Sequence, residues 1–169
     1  MAEGNGAAKF DLASIAMTRA DDGVPMTILH PLTRQPIMTA SGQPMSITLA
    51  GRFSETNRQA LRAIQVKRVE MVDARQPITE EHITRENIDQ LSACTQSWNF
   101  DELDGQPFPC TPQNIRRFWS DKRFIWLHER ALQFIAEDRN FLSVNSTTSS
   151  DGQNTSSGLV SLSPITAAA

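Results

Sequence analysis

The histidines, cysteines and clustered carboxylates are the residues that could do chemistry, and each fails a spacing test. His128 and Glu129 suggest a zinc helix, in which two histidines one turn apart hold the metal and the glutamate acts as base. Position 132, where the second histidine belongs, is Leu132. His82 stands among Glu81 and Glu86, but a lone imidazole on a helix surface supplies one of the three or four ligands a zinc site needs, so a solvated histidine is expected. Asn99 to Gly105 has some oxygens of a calcium loop, yet Leu103 occupies a ligand position and no bidentate glutamate follows. The eight glycines form neither GxGxxG nor GxxxxGK[ST], so the backbone cradle that nucleotide phosphates use is missing. Cys94 falls on an apolar helix face and reads as a buried structural thiol. Cys110 lies just before a helix start, where the helix dipole predicts a lowered pKa. Without a base and an oxyanion site it is still no nucleophile. No catalytic residue, cofactor or metal is therefore expected.

The elements that would position a site are helices behind a small sheet. Val24, Met26, Ile28 and His30 alternate as one strand ending at Pro31, a second is expected around Pro36 to Thr39, and Met45, Ile47 and Leu49 alternate as a third. Such a set predicts an antiparallel meander with one buried face, too small to stand without helices over it. Ser54 is an N-cap for a long helix from Glu55 to about Asp73, with Leu61, Ile64, Met71 and Val72, aided by Ala60, as its inner face and Gln76-Pro77 as its end. Thr79 or Thr84 caps the next helix, in which Ile88, Leu91, Cys94 and Trp98 recur at helical spacing. An aromatic loop from Trp98 to Cys110 follows, with a turn at Asp104-Gly105 suited to a small hairpin. Thr111 then caps a helix with Pro112 at its first position. Asp121 caps the last helix, whose Phe124, Leu127, His128, Ala131 and Ile135 share a face, widened by Ile125, Leu132 and Phe134.

The fold class expected is α+β: a small antiparallel β-meander packed against a mainly α-helical domain. Residues 1–9 should be a flexible N-terminus, 10–142 a single domain, and 143–169 a Ser/Thr/Asn-rich tail too poor in large apolar side chains to order itself. Phe10 to Ala20 suits either a short docking helix or an irregular arm. At 169 residues one domain with a real core is the expectation. A net charge of −3 argues against nucleic acid as a partner. The basic run Arg52 to Arg75 and the acidic run Glu80 to Asp104 read as faces that complement each other within the fold. With no signal peptide, no apolar run of about 20 residues and no cysteine framework, a membrane location is not expected and the thiols read as reduced and cytosolic.

Aromatic residues remain as candidates for a protein contact. Phe118 and Phe124 read as core. Trp126 admits both readings, core and interface, because its helix is apolar nearly all round. With Arg116, Arg117, Lys122 and Arg123 at its edge, the region has the composition of an interface. The expected partner-binding set is Trp98, Phe100, Phe108, Trp119, Arg123 and Trp126, in a groove lined by the final helix and the Trp98 to Phe108 loop.

Several blocks taken in order carry a resemblance: SITLAG, the Ser54-capped helix, LSACTQSWNF, PFPCTPQNIRRF and EDRNFL. Across about residues 10–142, and most specifically at Trp98, Phe108, Thr111, Asn114, Asp138, Arg139, Asn140 and Phe141, the chain resembles the tail assembly chaperones of long, flexible-tailed bacteriophages. The resemblance implies a non-enzymatic protein of the host bacterial cytoplasm. It would bind the tape measure protein and keep it soluble, recruit the major tail protein, and self-associate on its target. A frameshifted longer form is also implied, and the tail from Ser143 is compatible with an extension or a partner-recruiting arm. The competing expectation is a structural tail component, such as a tube, terminator or connector protein, retained in the virion.

Overall fold

The structure, a computed structural model, describes residues 19–142. The expectations for residues 1–9, for most of the Phe10 to Ala20 arm and for the tail from residue 143 lie outside them. The fold is α+β, with a three-stranded antiparallel sheet and four α-helices among the described residues.

The sheet is built from β1 (Val24–Thr27), β2 (Ser46–Leu49) and β3 (Thr95–Trp98), with β2 in the centre. Val24 pairs with Leu49 and Met26 with Ile47, while Ile47 also faces Trp98. Alternation then turns Met26, Ile47 and Leu49 to the same buried side. The strand expected second, at Pro36 to Thr39, is a correction, while the one expected third is found as β2. The segment at Pro36 to Thr39 makes only isolated bridges, Leu29 to Pro36 and Met38 to Pro44, because prolines in this ribbon cannot donate ladder hydrogen bonds. The vacant edge of β2 is taken by Thr95–Trp98, which periodicity alone continues as helix.

Helix α1 (Glu55–Asp73) starts where Ser54 accepts from the Asn57 amide. It ends in a Schellman-type closure, Gln76 N to Met71 O at 2.8 Å and Arg75 N to Val72 O at 2.9 Å. Arg75 takes the left-handed position at φ +55°, usually left to glycine. The inner face expected for α1 is only partly right. Ile64 is buried, whereas Leu61 and Val72 stand exposed. Helix α2 (Glu80–Cys94) starts at a capping box in which Thr79 and His82 bond each other reciprocally. It runs straight into β3: Thr95 turns extended and its hydroxyl donates to Leu91 O at 2.7 Å, closing the helix with a side chain. A two-stranded hairpin of β4 (Glu102–Leu103) and β5 (Gln106–Pro107) follows, turning at Asp104-Gly105 as its sequence suggests. Helix α3 (Pro112–Ser120) is capped by Thr111, and after a 3-10 turn capped by Asp121 the chain enters α4 (Ile125–Ala136).

The core lies where the sheet meets α2, α3 and α4. Leu91, Trp119, Leu127, Ala131 and Ile135 close on Ile47 and Leu49. One buried polar residue joins the parts: Asn57 donates to Arg52 O at 2.8 Å and accepts from Gln90 at 2.9 Å and from the Cys94 thiol at 3.4 Å. Outside the core, the basic and acidic runs meet as expected, with Lys67 to Asp89 at 3.2 Å and Arg68 Nε to Glu86 at 2.8 Å. Gly51 is needed for packing, since a Cβ there would come within 2.8 Å of the Phe141 ring.

Candidate functional site

The aromatic loop folds inward. Trp98 stacks on Phe100 at 5.0 Å and on Phe108 at 5.3 Å between ring centroids, and its indole donates to Phe108 O at 3.1 Å. Phe118 continues the cluster toward Phe124 at 4.7 Å and Trp119 at 5.0 Å. Phe100, Phe108 and Trp119 are buried, Trp119 with its N–H given to the Thr95 hydroxyl at 2.9 Å. These three are corrected from partner-binding to core. A short sheet covered by helices has few large aliphatic side chains to fill it, and the aromatics do so. Trp98 is half-buried and offers little surface beyond its stack.

Arg123 is also committed within the fold. It makes bidentate bonds to Asp104 at 2.9 and 2.8 Å and reaches Asp121 at 2.7 Å. Those hydrogen bonds hold both carboxyls below their usual range and push the guanidinium up. Arg123 thus clamps the β4–β5 turn to the 3-10 turn before α4, with each of its three nitrogens bonded to a carboxylate.

Trp126 is the member of the expected set that presents apolar surface. It is 36% exposed beside Ile125 at 53%, and a furrow runs along each side of them. One, about 520 Å³, lies between α2 and α4, lined by Thr84, Asn87, Ile125, His128, Leu132 and Ala136 among others. The other, about 560 Å³, is lined by Leu29, Pro31, Arg34, Trp126, Arg130 and Gln133 among others. The first has apolar side chains, Ile125, Leu132 and Ala136, with Thr84, Asn87, Gln133 and the Glu129 carboxylate as its polar groups. The second sets Trp126 between two arginines that make no ion pair among the described residues. The first furrow suits the apolar face of an amphipathic helix, while the second, with Arg34, Glu129, Arg130 and Gln133 around Trp126, is mostly polar. The α2 side of the first furrow, Thr84 and Asn87, was missed from sequence, since both are ordinary polar helix residues there.

The groups that could do chemistry are placed as structural ones. His128 is buried, its Nε2–H donating to Trp119 O at 2.8 Å, and burial pushes its pKa down, so it is neutral at pH 7. Burial pushes the Cys94 thiol up to about 12. Cys110, expected to have a lowered pKa, is corrected in direction: desolvation raises it and outweighs the opposing hydrogen bond from the Trp98 backbone. The helix dipole does not decide here, because the thiol is partly covered. Among the described residues no three His, Cys, Asp or Glu converge on a metal position, and no helix is long and apolar enough to cross a membrane.

Residues that carry the resemblance do packing and capping work. Thr111 caps α3, Asn114 donates to Pro109 O at 2.9 Å and Asn140 to Phe134 O at 3.0 Å. Phe141 is buried against Gly51. No family model, curated protein or solved structure matches the chain.

Proposed function

We propose that this protein is a non-enzymatic tail assembly chaperone of a long-tailed bacteriophage, acting in the host cytoplasm. It binds the tape measure protein, keeps it soluble, and recruits tail tube subunits, the major tail protein among them. The observation that carries the proposal is the exposed Ile125–Trp126 pair on α4 with a furrow on each side. A tape measure protein presents long amphipathic helices that aggregate when bare, and a protein that shields them must offer apolar furrows with polar rims. The buried loop aromatics shift the docking surface from the one expected around residues 98–108 to α4 and the adjacent flank of α2.

The test is co-expression with the protein of the very long reading frame expected immediately downstream. The soluble fraction of that protein should rise with this chain present and fall again with Trp126→Ala. Unchanged solubility in both experiments would sink the proposal. Mass spectrometry of purified particles distinguishes the virion-component reading, because a chaperone leaves before the tail is finished and is missing from the particle.

A further inference from the structure

Helix α1 buries only Asn57 and Ile64 of its 19 residues. Leu61, Val66, Val69 and Val72 stand 44, 58, 54 and 62% exposed. Valine is a poor helix former because its two γ carbons restrict χ1 against the preceding turn. In an exposed helix with no burial in return, such residues weaken the element that carries them.

At the α-helical repeat, Arg62, Val66, Val69 and Asp73 fall on one stripe. Their spacing of four, three and four residues is that of a two-helix seam. All four are exposed, and the stripe lies on the side of α1 turned away from the buried Ile64. Its two ends carry opposite charge, and neither Arg62 nor Asp73 makes an ion pair among the described residues. Arg58, which could compete at the basic end, is held by Glu55 at 2.8 Å.

Turned antiparallel, two such stripes set Val66 against Val69 twice and Arg62 against Asp73 twice. A parallel pair would lay Arg62 on Arg62 and Asp73 on Asp73. The stripe is complementary to itself, as a contact about a twofold axis requires. We infer that two copies of this chain pair through antiparallel α1 helices, with Val66 and Val69 at the centre and Arg62–Asp73 ion pairs at both ends. None of Arg62, Val66, Val69 and Asp73 lines either furrow beside Ile125 and Trp126.

Sedimentation of the full chain over a range of concentrations tests the inference. The expected result is a mass that doubles as concentration rises. Val66→Asp should remain monomeric with an unchanged far-UV spectrum and melting temperature at dilution. Arg62→Asp should weaken the pair at least about tenfold by placing like charges together at both ends, and adding Asp73→Arg to the same chain should restore it. A chain that stays monomeric throughout, a dimer indifferent to Val66→Asp, or a double exchange no better than the single one overturns the inference. So does a monomer that engages a different protein through this stripe. Trp126→Ala should leave the mass unchanged, so failure here and failure of the chaperone proposal are told apart.

Discussion

Helices α1 and α4 are covered to very different degrees. In α4, with 12 residues, Leu127, His128, Ala131 and Ile135 are buried, and the helix packs on both α2 and α3. In α1, with 19 residues, two are buried, and α2 is its principal neighbour. Apolar content alone would put the spare sticky surface on α4, the greasier helix. Coverage puts much of it on α1, where four aliphatic side chains stand in water. The number of elements packed on a helix, more than its hydrophobicity, decides what is left over for another chain. The two leftovers also differ in kind: α4 offers an aromatic beside furrows, and α1 offers a flat aliphatic strip with charged ends.

The sharpest way to break this contrast is to compare the two tryptophans at the ends of the α3–α4 corner. Trp119 is fully enclosed and hydrogen-bonded, while Trp126 is over a third exposed. Trp119→Ala should cost about 3–5 kcal/mol in chemical denaturation, the range for removing a buried large aromatic. Trp126→Ala should cost no more than about 1 kcal/mol, as surface substitutions do. Equal losses would mean that Trp126 belongs to the core, and the docking surface on α4 would disappear with it.

A smaller effect is expected at the joint that holds α1 to the rest. Asn57→Ala removes the acceptor for Gln90 and Cys94 and the donor to Arg52 O. Leaving the buried Cys94 thiol and the partly covered Gln90 amide and Arg52 carbonyl without this partner should cost about 1–3 kcal/mol. Amide exchange in α1 should speed up more than exchange in α3 and α4, because Asn57 and Ile64 are the buried residues that anchor the helix. A uniform acceleration across all helices would instead show that α1 is integral to the core.

Much of this architecture is legible in local chemistry. Ser54, Thr79 and Thr111 announce helix starts, Gln76-Pro77 an end and Asp104-Gly105 a hairpin, because caps and turns depend on a few neighbouring residues. The periodicity of Ile88, Leu91, Cys94 and Trp98 correctly marks an inward side and misassigns the last of them to a helix. Thr95 ends that helix through a hydroxyl bond to Leu91, and the edge of β2, 46 residues earlier in the chain, supplies the strand's partner. That information is not local. The same limit applies to the loop aromatics: a stack of Trp98, Phe100 and Phe108 looks like an interface in sequence and like a core once α3 closes over it. The exposed valines of α1 were legible in principle, since Val66 and Val69 lie off the inward stripe defined by Ile64 and Met71.

The smallest expected effect bears most directly on that last point. In a single chain at dilution, Val69→Ala removes a side chain that touches mainly water and replaces it with a better helix former. Stability should move by no more than about 0.5 kcal/mol, with a gain favoured by propensity. At high concentration the same variant should pair less well than the parent, because the methyl groups it loses are those that meet the partner's Val66. A loss comparable to that of a buried valine at dilution would mean that α1 is covered within one chain, and the contrast with α4 would fail. A neutral variant with weakened pairing separates what the fold requires of α1 from what a second copy requires of it.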